Sequence, residues 1–99
     1  MNLPDNWIII RTLYLDRHND YIQFYAKQVN DKFLFSDDGE TFQDVEQGGY
    51  EIDQKILEIL DNFGIEIRNE TLQIYGDFKT CKEKLARAIK AINDYIDTK

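Results

Sequence analysis

Lys32-Phe33-Leu34-Phe35-Ser36-Asp37-Asp38-Gly39-Glu40-Thr41-Phe42-Gln43-Asp44-Val45-Glu46-Gln47-Gly48-Gly49 decides how this chain is read. Lys32–Phe35 is short, aromatic and alternating, as a strand is. Ser36-Asp37-Asp38-Gly39 is a turn signal, because glycine supplies the positive φ that a tight reversal needs. Thr41 stands three residues before Asp44, an imperfect capping box that predicts a helix of about two turns. Gly48-Gly49 ends it, glycine being the usual residue in the left-handed position after a helix. The stretch is therefore the switch from strands to helices.

Upstream, Trp7–Tyr14 is rich in β-branched and aromatic residues and predicts a strand. Asp16-Arg17-His18-Asn19-Asp20 is a polar turn. In Tyr21–Lys27, Ile22, Phe24 and Ala26 share one face and Tyr21, Gln23, Tyr25 and Lys27 the other, the pattern of a half-buried strand. The short connectors, including Val29-Asn30-Asp31, predict an antiparallel meander. Downstream, Ile52, Ile56, Leu57, Ile59, Leu60 and Phe63 recur at helical spacing, and Gly64 is the expected stop. Ile65-Glu66-Ile67 and Leu72-Gln73-Ile74 alternate around Arg68-Asn69-Glu70-Thr71, a hairpin pattern whose turn lacks the preferred Asn-Gly. Thr80 with Glu83 three residues on forms a Thr-x-x-Glu capping box for a last helix, with Leu85, Ala88, Ile89, Ile92 and Ile96 as its apolar stripe. The expected fold is α+β, in the order β-β-β-α-α-β-β-α. One antiparallel sheet of about five strands carries helices on one face, within a single domain spanning residues 1–99.

The 99 residues are 42% hydrophobic and 13% aromatic, which excludes a disordered tail. The single Cys81 excludes an intramolecular disulfide framework or a multi-cysteine zinc site, and a lone thiol suits a reducing cytoplasm. The start has no basic region, and the apolar run Trp7–Ile10 stops at Arg11, too short for a signal peptide or membrane span. The net charge of −7 is unevenly spread. Residues 1–36 balance four acids against four bases, residues 37–70 set eleven acids against Lys55 and Arg68, and residues 79–99 are net positive. That acidity argues against direct nucleic-acid binding, which wants a basic face, and suits a basic partner.

These segments carry a resemblance. Asp20-Tyr21-Ile22-Gln23-Phe24-Tyr25, Leu34-Phe35-Ser36-Asp37-Asp38-Gly39-Glu40-Thr41 and Asp44-Val45-Glu46-Gln47-Gly48 are its first three parts. Ile56-Leu57 with Phe63-Gly64, and Ala88-Ile89-Lys90-Ala91-Ile92-Asn93-Asp94, are the others. Together they resemble a family of phage and bacterial domains of unknown function, family 1828. The resemblance implies a small protein, often encoded by mobile elements, and brings no catalytic residues. Some relatives carry a second C-terminal domain, for which a chain ending at Lys99 has no room.

Several chemistries are weighed against plainer readings. A calcium loop built on Asp37-Asp38-Gly39 fails on spacing, since with Gly39 sixth the first and twelfth ligands would be Leu34 and Val45. Asp16, His18 and Asp20 alternate and would face one way on an extended segment, but His18 is the sole histidine and a solvated turn is the simpler reading. Asp77-Phe78-Lys79 mimics half of a metal-dependent nuclease site without its other acid, and reads as helix entry. Cys81, near Lys79, Lys82 and Lys84 at a helix start, has a setting that lowers a thiol pKa but lacks a base partner. Gly48-Gly49 is no phosphate loop. No catalytic residue, metal or cofactor is assigned.

The reading is a non-enzymatic binding protein of a phage or mobile element. Its acidic middle, Asp37, Asp38, Glu40, Asp44, Glu46, Glu51 and Asp53, meets a basic surface on a host protein. One form is an inhibitor of a nucleic-acid-binding defence factor, with carboxylates in place of phosphates. Tyr21 and Tyr25, with Trp7, would lie on an open sheet face as interface residues or a homodimer seam. The alternatives are a structural homo-oligomer using that face and a metal-dependent enzyme.

Overall fold

Residues 6–99 are described by a computed structural model, and their element order is the expected one. The strands are β1 (Ile8–Leu15), β2 (Tyr21–Val29), β3 (Lys32–Ser36), β4 (Glu66–Arg68) and β5 (Thr71–Gly76), and the helices are α1 (Glu40–Gln47), α2 (Gln54–Asn62) and α3 (Phe78–Asp97). The sheet is antiparallel throughout, in the order β1-β2-β3-β5-β4. β1, β2 and β3 form the meander, and β5 enters beside β3, with Phe35 opposite Ile74. The β1–β2 register shifts between Arg11 and Leu15.

The period-two pattern puts Ile10, Ile22, Phe24, Ala26, Phe35, Leu72 and Ile74 into the core, with Ile56, Leu60, Leu85, Ile89 and Ile92 from the helices. α3 lies across β1, β2, β3 and β5, with α2 packed beside it. No helix among the described residues is long and apolar enough to cross a membrane.

Helix starts differ from expectation at α1 and α3. α3 begins at Phe78, because Asp77 caps it by accepting the Thr80 N–H at 3.0 Å. The earlier start lets the Phe78 ring pack edge-on against Phe33, with centroids 4.9 Å apart, and at 5.3 Å from Phe35. Thr80 is inside the helix, and Glu83 accepts the Tyr14 hydroxyl instead of closing a capping box. At α1 the N-cap is Gly39, in the left-handed conformation with no capping side chain of its own, and Thr41 is buried within the first turn.

The capping at α1 is done by Asp37. Its carboxylate accepts the Gly39 N–H at 2.9 Å, the Thr41 N–H at 3.0 Å and the Leu72 N–H of β5 at 2.8 Å. The Asp37 N–H returns a bond to the Leu72 carbonyl at 3.1 Å. The side chain is 1% exposed, so the expectation that Asp37 meets a partner is overturned. A buried carboxylate is tolerated only when its oxygens are hydrogen-bonded, and backbone donors do that here.

Removing this side chain leaves buried N–H groups unsatisfied. Asp37→Ala should cost roughly 3 kcal/mol, and roughly 10 °C or more in Tm at this chain length. The exposed neighbour Asp38→Ala should stay within about 0.5 kcal/mol. Paired urea and thermal melts read both, and equal melts for the two variants would remove Asp37 from this role.

Candidate functional site

The acidic block 37–70 divides into carboxylates satisfied within the chain and carboxylates left to solvent. Besides Asp37, Asp44 belongs to the first group. It pairs with the largely buried Arg17 guanidinium, and its second oxygen lies 2.9 Å from His18 Nε2. Arg17 Nη2 also donates to the Asp44 carbonyl at 3.0 Å. Gly48 has an ordinary φ of −78°, and a Cβ there would stand 2.8 Å from Arg17 Nη2, so this glycine admits the guanidinium. Gly49, with φ 86°, takes the left-handed position after the helix. Asp53 is occupied as well. It caps α2 by accepting the Ile56 N–H at 3.1 Å and also accepts the Tyr95 hydroxyl and Lys99 Nζ. Asp44 and Asp53 therefore each have partners within the chain, while their side chains stay 38% and 29% exposed.

Asp38, Glu46 and Glu51 remain, and the fold adds Glu70 to them. A shallow groove of about 540 Å³ between α1 and the β4–β5 turn is lined by Asp38, Phe42, Gln43, Glu46, Asn69 and Glu70, among others. A neighbouring depression of about 680 Å³ shares Phe42, Glu46 and Glu70 and adds Tyr50 and Glu51. All four carboxylates are exposed, and no Lys, Arg or His lines either space.

Glu70 reaches the groove through its hairpin. Arg68 opposite Thr71 leaves Asn69-Glu70 as a two-residue turn, with φ of 49° and 64°. Positive φ at both positions is the type I′ pattern, which usually places glycine second. Asp37, bonded to both the start of α1 and Leu72 of β5, sets that turn beside α1. The sequence signal was the Asn-x dipeptide between two alternating runs. What it lacked was the strand order, which returns residue 70 to residues 38 and 46.

On the other side of α1 lies a cleft of about 660 Å³ with mixed charge, lined by Arg11, Asp16, His18, Asp20, Glu40 and Asp44, among others. Asp16 accepts the backbone N–H groups of His18 and Asp20, at 2.8 and 3.0 Å, so it shapes its own turn. Partial burial holds the Glu40 carboxyl above its ordinary range; the Tyr25 hydroxyl, 3.4 Å away, works in the opposite direction. Tyr25 is 6% exposed, covered on the sheet face where interface tyrosines were expected, and Tyr21 is 61% exposed. Burial pushes the Cys81 thiol up, outweighing Lys84 and Lys32, so the helix start does not activate it. Among the described residues, no three His, Cys, Asp or Glu side chains are grouped to hold a metal ion.

The profile of the family described as domain of unknown function DUF1828 matches residues 12–94. The chain belongs to that family. The matched segment contains all four groove carboxylates and the whole Asp37 network of this DUF1828 member. No curated protein and no solved structure matches the chain.

Two solution measurements follow from this geometry. The Asp53 carboxyl is held at about 2, below its ordinary 3.8, first by the Tyr95 hydroxyl and also by Ile56 N–H and Lys99. A depressed acid contributes stability that is full above its unfolded pKa and disappears as pH falls through the folded one. The contribution of Asp53 should therefore fade between pH 4 and pH 2, and Asp53→Asn should lower Tm above that window and flatten its pH dependence within it. Glu70 in the left-handed region is strained for a side chain with a Cβ. Glu70→Gly should raise stability by about 1 kcal/mol in urea titrations.

Proposed function

We propose that this DUF1828 chain is a non-enzymatic protein-binding module whose acidic groove receives lysine and arginine side chains from a basic partner surface. The observation that carries this reading is the set Asp38, Glu46, Glu51 and Glu70, four exposed carboxylates from the β3–α1 turn, α1, the α1–α2 connection and the β4–β5 turn, with no base lining the spaces between them among the described residues. Phe42 lies beneath the groove as a core residue, 5% exposed, and keeps its floor fixed. Glu40, exposed on the opposite flank of α1 beside Asp20, extends the acidic surface around the helix start.

Strain supports the same reading. A stability-optimised hairpin would have glycine where Glu70 sits, and strained residues concentrate where binding uses them. The net charge of −7 and the sequence pI of about 4.6 set up long-range attraction for a basic surface and repulsion from nucleic acid. In its specific form, the proposal places the chain in a phage or mobile element. There it would inhibit a host nucleic-acid-binding defence protein, the carboxylates occupying the positions of phosphates.

The test uses the full chain immobilised against host lysate, with retained proteins eluted by salt and identified by mass. Basic proteins should be retained at 0.05 M salt and released by about 0.5 M, where the screening length shrinks to a few ångströms. Asp38→Lys with Glu46→Lys and Glu70→Lys should weaken binding at least tenfold, about 1.4 kcal/mol. Retention indifferent to salt and to these reversals would refute the groove as the binding surface.

A further inference from the structure

The cleft on the other side of α1 is not part of the acidic groove, and its lining mixes apolar and polar groups as a ligand pocket does. Its volume is about 660 Å³, and the buried side chains of Ile22, Val45 and Ile89 line it. They come from β2, α1 and α3, so packing of the whole fold sets this apolar part. Small-molecule sites are typically concavities of roughly 300–1,000 Å³ with an apolar lining and a few placed polar groups.

Thr41 supplies such a polar group. The residue is 8% exposed, and its backbone N–H is bonded to Asp37 at 3.0 Å. Its hydroxyl has no hydrogen-bond partner among the described residues, yet every side-chain oxygen or nitrogen sealed from solvent there has one. The Thr41 hydroxyl is therefore not sealed, and the cleft that Thr41 lines is the space it opens onto. It keeps a donor and two acceptor lone pairs for whatever occupies that space.

Charge sets the sign of the occupant. Asp16, Asp20, Asp37, Glu40 and Asp44 line the cleft, against Arg11 and the Arg17 that pairs with Asp44. With His18 neutral, five carboxylates face two guanidinium groups, a net of −3. Asp16, Asp37 and Asp44 are committed to bonds within the chain, which leaves Asp20 and Glu40. The Tyr25 hydroxyl donates to one Glu40 oxygen at 3.4 Å, and the other has no donor among the described residues. A partly desolvated carboxylate gains from a cation brought beside it.

We propose that this cleft binds a small protonated amine, its ammonium donating to Glu40 and the Thr41 hydroxyl and its aliphatic body resting on Ile22, Val45 and Ile89. The site is separate from the groove on which the proposed function rests, since Asp38, Glu46, Glu51 and Glu70 do not line it.

Amide chemical-shift titration of the isotope-labelled full chain tests this with isoamylamine, and with isoamyl alcohol and isovalerate as neutral and anionic counterparts. The amine should shift the amides of Glu40, Thr41 and Val45 with a Kd on the order of 1–10 mM, the range open to so small a ligand. The alcohol should bind about tenfold more weakly, and isovalerate should leave these amides in place. Glu40→Gln, at an exposed position, should abolish the preference for amine over alcohol. Thr41→Val, checked for folding by circular dichroism, should weaken both about fivefold. Asp38→Lys with Glu46→Lys and Glu70→Lys should change amine binding less than about twofold at 0.15 M salt, where distant charges are screened. No shift up to about 50 mM amine, equal binding of amine and alcohol, or a preference that survives Glu40→Gln overturns the proposal. So do shifts confined to Asp38, Glu46 and Glu70, which would mark attraction to the groove alone.

Discussion

The carboxylate of Asp37 is where strand, helix and hairpin are joined. Three backbone N–H groups converge on it, two from the first residues around α1 and one from Leu72 in β5. Short side chains often cap helices, and bonds of this kind add roughly 1 kcal/mol each in exposed settings. Here the same oxygens also hold a strand remote in sequence, and the site is fully covered. The alternative to each bond is then an unsatisfied buried group, which costs more than the bond itself is worth. The β3–α1 turn can adopt successive left-handed residues, Asp38 at φ 58° and Gly39 at 78°, because this network over-determines it.

A second clamp works on the far side of α1. Arg17 at the β1–β2 turn reaches Asp44, while its backbone N–H donates to Asn93 of α3 at 3.1 Å. Gly48 leaves the space for this. Between Asp37 and Arg17, an eight-residue helix is held at both ends by groups from distant parts of the chain. A helix this short gains little from its own hydrogen bonds, so tertiary attachment is what stabilises it. The cost in acidic residues is informative: carboxylates doing this work have partners, which separates them from those on the groove.

Elements with strong periodicity were legible in the sequence. The alternation in Tyr21–Lys27 and the apolar stripe of α3 each pointed to the right element and the right buried face. Capping was less legible, since Thr-x-x-Glu at Thr80 and Asp77-x-x-Thr three residues earlier are both local cap patterns. The packing of Phe78 on Phe33 and Phe35 decides between them, and that is a tertiary fact. The acidic block shows the same limit more sharply. Asp37 and Asp38 are adjacent and chemically identical, yet one is sealed in the core and the other is in solvent. Only the position of Leu72, 35 residues on, distinguishes them. Tyr25 misled for a related reason: its strand face is open, but its neighbours cover it.

The groove carboxylates are fixed in place by the way they are mounted. On mobile loops, Asp38 and Glu70 would be free to drift apart. Instead each sits on a two- or three-residue turn whose neighbours are bonded into the Asp37 network or the β4–β5 ladder. Both occupy left-handed backbone positions that side chains enter reluctantly. The backbone that carries both carboxylates is therefore set during folding. In the proposed binding role, the ordering cost of these positions is met during folding and not at association. The same buried aspartate that starts α1 thus also sets the spacing of the surface that α1 presents.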